Sequence, residues 1–174
     1  GDKEIAILKN DSVTFMNDDL EIINKDVVTI PYDLEAAQKD GYDTFMLKEI
    51  NEQPHVINET LRGRIFEDHV ILNEIKDIDF NQFNKVYFVA CGTAYHACLC
   101  GAQILERATR LPVMTQVASE FRYNDPIVDE RTLCIFVSQS GETADTLAAL
   151  RLANNKGCTT IAIANVLGST ISRD

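Results

Sequence analysis

The amino-acid sequence predicts an α/β fold: a three-layer, doubly wound parallel sheet in the second half of the chain, incomplete at its C-terminal end, with a β-hairpin and a helical linker before it. Three observations carry this. Short apolar runs at 86–90, 113–117, 133–137 and 159–164 alternate with longer stretches of good helix formers. The runs read as strands apolar on both faces, which suits a parallel sheet covered by helices on both sides. Two of them end in glycine-bearing polar loops that open helices, where such sheets gather ligands.

Composition bounds the function. At 174 residues, 45% hydrophobic and 25% charged, the chain matches an ordinary globular protein with one main domain and a small appendage. No apolar run approaches the roughly 20 residues of a membrane helix. The formal charge of −11 argues against nucleic acid and anionic membranes as partners, because both demand clustered Lys and Arg. An anionic ligand would have to be held by local dipoles. Cys91, Cys98, Cys100, Cys134 and Cys158 are odd in number and lack a paired zinc spacing, so they read as reduced thiols in a cytoplasmic protein without a signal peptide.

Taken in order, Glu4-Ile-Ala-Ile-Leu8 and Val13-Thr-Phe-Met16 flank a polar turn and predict a hairpin. Residues 20–23 and 27–30 offer one or two more strands. So few apolar groups cannot build a core alone, so this segment reads as the edge of another domain, with a boundary in 31–41. Phe45, Met46, Ile50, Val56, Ile57 and Leu61 then recur at helical intervals. Pro54 is expected to interrupt or restart that helix, and Gly63 to stop it. His55 and His69 have no second ligand at a metal-like spacing and read as solvated or capping residues.

The alternation begins after Gln82. A strand at 86–90 leads to a helix at 94–110, whose stripe of Ala97, Cys98, Gly101, Ile104, Leu105 and Ala108 should face the sheet. A strand at 113–117, a third at 133–137, a helix at 144–155 and a strand at 159–164 follow. No fifth strand is evident.

Two loops qualify as the binding edge: Cys91-Gly-Thr-Ala94 and Ser138-Gln-Ser-Gly-Glu-Thr143. A helix N-terminus presents unpaired amides and about half a positive charge, and holds phosphate without a lysine. Gly141 lets backbone approach a ligand, Ser138, Ser140 and Thr143 offer hydroxyls, and Gln139 offers an amide. The competing reading is that Ser140 simply caps the following helix, which leaves the other polar groups without a task. Neither loop carries the phosphate-loop or dinucleotide fingerprint, so a nucleotide is disfavoured. Cys91 could be a nucleophile at a helix N-terminus or a structural strand-end residue; His96, more than a turn into the helix, is not an evident base.

These same segments carry a resemblance. Cys91-Gly-Thr-Ala-Tyr-His96, Ala118-Ser-Glu-Phe-Arg-Tyr123, Ser138-Gln-Ser-Gly-Glu-Thr-Ala-Asp-Thr-Leu147 and Ile163-Ala-Asn-Val166 resemble the first sugar isomerase (SIS) domain, flavodoxin-like in fold, of the glutamine:fructose-6-phosphate aminotransferase family. Upstream, Phe45-Met-Leu-Lys-Glu-Ile-Asn-Glu-Gln-Pro54 and Thr60-Leu-Arg-Gly-Arg64 resemble the joint between that family's glutaminase and isomerase domains. The implied organisation is a glutaminase edge at 1–40, a helical linker at 41–80 and a partial SIS domain at 81–174.

The family makes glucosamine 6-phosphate from fructose 6-phosphate with ammonia from glutamine. The resemblance implies that Ser138, Gln139, Ser140, Thr143 and Thr93 bind the sugar phosphate, with Cys91, Gly92 and Gly141 supporting the loops. It implies no cofactor and no metal, and a homodimer for the parent enzyme, with 118–123 near the contact. Ala94 departs from the serine common in bacterial members, removing one hydroxyl. The family's catalytic groups belong to segments outside these matches, so the isolated chain is expected to be inactive. A different class of reading is a non-catalytic SIS module that senses a sugar phosphate and regulates a partner.

Overall fold

The computed structural model describes residues 3–26 and 38–174, which divide into two compact units, one ending at Leu72 and the other beginning at Asn73. In the first, β1 (Glu4–Leu8) and β2 (Val13–Asn17) pair antiparallel from Glu4↔Asn17 to Leu8↔Val13, and β3 (Ile22–Ile23) adds to the edge of β2. None of residues 3–26 is buried, in keeping with a segment too poor in apolar groups to form its own core. The strand expected at 27–30 and most of the expected boundary lie outside the described residues.

Helix α1 (Phe45–Leu61) starts at Thr44, whose hydroxyl accepts the Leu47 amide at 3.2 Å. It runs through Pro54 without a break, correcting the expected interruption. Proline removes the amide that would have met the Ile50 carbonyl and crowds that carbonyl with its ring, a cost that the helical turns on either side outweigh. Gly63 adopts φ +72 just past the end, where a left-handed residue lets the Arg64 amide fold back onto the Leu61 carbonyl at 3.0 Å. Lys48 is the buried residue of α1, its ammonium 2.6 Å from the Asp40 carboxylate. The apolar positions that predicted the helix are exposed.

The second unit is the parallel sheet. β4 (Lys85–Ala90), β5 (Val113–Val117), β6 (Thr132–Ser138) and β7 (Thr159–Ala164) lie in the order β5-β4-β6-β7. Registers such as Ala90↔Val117, Ala90↔Val137 and Ser138↔Ala164 bring all the carboxyl ends to one edge. Helix α2 (Gly92–Thr109) covers one face, where Val86 and Leu133 pack with Leu105 and Ile135. On the other face, α3 (Ala118–Tyr123) and α4 (Ala144–Asn155) bury Val89, Phe121, Phe136, Leu150 and Ala153. Phe121 stands edge-on to both Tyr87 and Phe136, with ring centroids 5.7 and 6.3 Å apart. Within each strand, successive residues thus serve opposite cores, Val86 and Val89 of β4 and Leu133 and Phe136 of β6 among them, as the two-residue period of a strand requires.

Two details of α2 differ from the sequence reading. It begins at Gly92, not Ala94, because Gly92 at φ +56 makes the turn that a bulkier residue resists. Its contact stripe is also narrower: Cys98 and Ala102 are buried, whereas Ala97, Ile104 and Ala108 are exposed. A helix on a sheet buries only the side chains that point between the strands.

Candidate functional site

In this strand order the chain leaves β4 toward one face and β6 toward the other, so a crevice opens between their carboxyl ends. A cavity of ≈ 250 Å³ occupies that crevice, lined by Cys91, Thr93, Ala94, Val137, Ser138, Gln139, Ser140, Thr143 and Thr146. The structure therefore brings together Ser138, Gln139, Ser140, Thr143, Thr93 and Cys91 from two loops distant in sequence. Gly92 and Gly141 shape the backbone from outside the lining. Thr146 was missed by sequence reasoning: it is buried in the first turn of α4 and its hydroxyl approaches the Cys91 Sγ at 3.8 Å. Its spacing of three from Thr143, one helical turn, was the available signal.

The two helix N-termini at the cavity are left unusually open. Cys91 and Thr143 occupy the N-cap positions of α2 and α4, and neither makes a side-chain capping bond. Ser140 is not the cap of α4, which starts after Thr143, so the simple capping reading of that hydroxyl is corrected. The first-turn amides of a helix have no intrahelical acceptor, and here two sets stand beside one cavity.

The hydroxyls are oriented by the loop itself. Ser138 Oγ accepts the Gly141 amide at 3.1 Å and lies 3.3 Å from Thr143 Oγ1; Ser140 Oγ accepts the Glu142 amide at 3.2 Å. A hydroxyl has one donor hydrogen and two acceptor lone pairs. Accepting a backbone amide uses a lone pair and leaves the O–H of Ser140 to donate. The Ser138–Thr143 pair shares one hydrogen between its oxygens and keeps a second for a ligand.

Among the described residues no charged side chain lines the cavity. The nearby carboxylates are engaged elsewhere: Asp145 lies 3.6 Å from the Arg122 guanidinium, and Glu142 accepts both the backbone N–H and the hydroxyl of Thr170. Those Thr170 hydrogen bonds hold the Glu142 carboxyl below its ordinary range. His96 is exposed on α2, edge-on to Tyr95, and is not part of the lining. His55 is exposed, and His69 stacks on Phe66 beside Asp68. Among the described residues no group of three or more His, Cys, Asp or Glu could hold a metal ion, and no helix is long and apolar enough to cross a membrane. All five cysteines are free thiols.

Comparison with known proteins fits this geometry. The SIS domain family matches residues 79–174. Over 99% of its length the chain is 52% identical to glutamine–fructose-6-phosphate aminotransferase [isomerizing] of Caldanaerobacter subterraneus subsp. tengcongensis, and 48% identical to that of Clostridium tetani. It spans 29% of each of these relatives. Among solved structures, the C-terminal domain of glucosamine-fructose-6-phosphate aminotransferase from Francisella tularensis is 36% identical, with a TM-score of 0.71 over 78% of this chain and 38% of that one. Glucosamine-6-phosphate deaminase from Thermotoga maritima, 23% identical with a TM-score of 0.60 over 75% of this chain and 38% of that one, shares the fold. The chain therefore belongs to the SIS domain family, and is homologous along nearly all its length to one stretch of the glutamine–fructose-6-phosphate aminotransferases.

Proposed function

We propose that the chain is the part of a glucosamine-6-phosphate synthase that holds the phosphate of fructose 6-phosphate and of the product, glucosamine 6-phosphate. The observation that supports this best is the convergence of two uncapped helix N-termini and three oriented hydroxyls on a cavity without a charged side chain. Amides and hydroxyls there donate to an anion, and the helix dipoles supply the attraction that the acidic chain as a whole does not. In this reading Ser138, Ser140 and Thr143 donate through oxygen, Gln139 and Thr93 reach the outer phosphate oxygens or the sugar, and Thr146 keeps the floor polar. The ≈ 250 Å³ volume falls just under the ~300–1,000 Å³ of sites that enclose whole small molecules, and fits the phosphate with part of the sugar.

In the parent enzyme this site fixes one end of the substrate while other groups open the sugar and deliver ammonia to it. The division follows the same lines: residues 1–40 as a glutaminase edge, 41–80 as the linker and 81–174 as the first SIS domain, acting in a cytoplasmic homodimer. The isolated chain binds and does not turn over. Titration calorimetry with fructose 6-phosphate, glucosamine 6-phosphate and free fructose tests the site: the phosphorylated sugars bind and free fructose does not. Equal affinity for fructose with and without its phosphate would overturn the reading.

A further inference from the structure

Glu142 lies inside the loop, between Gly141 and Thr143, yet its carboxylate is bonded away from the cavity. It accepts the Thr170 backbone N–H at 2.7 Å and the Thr170 hydroxyl at 2.8 Å. Two backbone bonds join the same segments: the Ile171 amide donates to the Gly141 carbonyl at 3.1 Å, and the Asn165 amide to the Gln139 carbonyl at 3.3 Å. Ile171 is itself buried in the core beneath α4. The loop is thus backed by a strap anchored in the core, and among the described residues Glu142 is the one that ties it there through a side chain.

A carboxylate one residue from Thr143 is a hazard at an anion site, because a like charge near the ligand opposes binding. The tie to Thr170 removes the hazard and fixes the loop at once. We infer that Glu142 is a positioning residue of the anion site, clamping the loop onto the strap at Thr170 so that its hydroxyls and amides face the ligand while its own charge is kept out of the cavity. This rests on the sugar-phosphate reading given above. The competing role, a favourable charge beside the N-terminus of α4, needs no Thr170 and is separable by experiment.

Fructose 6-phosphate affinity is measured by titration calorimetry on the 174-residue chain carrying Glu142→Ala, Thr170→Val, both, or Thr170→Ser, with Ser140→Ala as the site control. Thr170→Val keeps the shape and loses only the hydroxyl, and the melting temperature of each variant reports its fold. Glu142→Ala lowers affinity about tenfold, Thr170→Val, which keeps the backbone N–H bond to Glu142, lowers it about threefold, the double variant binds as Glu142→Ala does, and Thr170→Ser binds as the parent, because two groups acting through one contact are not additive. Affinity of Glu142→Ala within about twofold of the parent, or full additivity of the pair, overturns the inference. If Ser140→Ala weakens binding while Glu142→Ala does not, the positioning role alone falls. If the parent chain does not bind fructose 6-phosphate, the site reading falls and this inference with it.

Discussion

Gly141 and Ser169 are in such close contact that a Cβ on Gly141 would lie 2.2 Å from the Ser169 hydroxyl oxygen, and 2.9 Å from a methyl carbon of Ile171. Gly141 also holds φ +68. Two separate demands therefore exclude any other residue. Gly141→Ala is expected to cost ~1–2 kcal/mol for the left-handed backbone and a further ~1–3 kcal/mol for the overlap with the strap. Gly92→Ala is the control, since Gly92 has φ +56 but nothing within 4 Å of a Cβ, and should show only the first cost. Urea denaturation of both variants checks this; equal losses would mean that the Gly141–Ser169 contact is not rigid.

The two serines of the loop should part company on mutation. Ser138 is buried and its oxygen takes the Gly141 amide, whereas half-buried Ser140 takes the Glu142 amide at the rim. Ser138→Ala orphans a buried donor, which costs about 1–3 kcal/mol, so it lowers both the melting temperature and the affinity. Ser140→Ala lowers affinity about tenfold or more, as loss of a bond to a charged ligand implies, and leaves melting almost unchanged. Calorimetry and thermal melts on the two variants separate these effects. A fully bound Ser140→Ala would place the ligand elsewhere.

Much of this site is visible in the sequence because local chemistry decides it. The apolar run at 133–137 reads as a buried strand and the alanine- and leucine-rich stretch after Thr143 as a helix, so the loop between them is located without tertiary information. What stayed hidden depends on contacts far apart in the chain. The Glu142–Thr170 tie spans 28 residues, and one of the two demands for glycine at 141 comes from Ser169 and Ile171. The helical start at Gly92 was obscured because a glycine with positive φ has the sequence signature of a loop. Helix α1 passes Pro54 because one missing hydrogen bond does not outweigh the turns on either side. Ile104 and Ala108 fit the apolar stripe of α2 by spacing, yet both are exposed, since spacing does not say which side chains of a helix point between the strands it covers.

Ala94 offers a gain-of-function test. It lines the cavity in the first turn of α2, next to Thr93, and carries no donor. Ala94→Ser adds a hydroxyl where an anion is expected. A hydrogen bond to a charged partner contributes ~1.5–3 kcal/mol, so fructose 6-phosphate should bind at least about tenfold tighter, with free fructose unaffected. Calorimetry on Ala94→Ser decides it. No change, with the fold intact, would mean that the phosphate does not reach the α2 N-terminus.

The buried thiols make stability fall in alkali. Cys98, Cys134 and Cys158 are buried, and burial pushes each thiol above its ordinary value of 9.0. For Cys134, burial is followed by its neighbour Cys158 as a second cause, and the shift is large. Above that ordinary value the unfolded chain releases protons that the native chain retains, so the unfolded state binds fewer protons and stability decreases as pH rises. Below it the contribution is fully present. The midpoint of urea denaturation should therefore be level from pH 7 to about 8.5 and then decline. Cys134→Ala should unfold more easily at every pH, because it leaves a cavity, yet decline less steeply above the thiol range, since one of the three proton-retaining groups is gone. In parallel, alkylation at pH 8 should modify exposed Cys100 in the native chain and reach Cys98, Cys134 and Cys158 only on unfolding, because the thiolate is the reactive form. An alkaline limb unchanged in Cys134→Ala would assign the loss of stability to other groups.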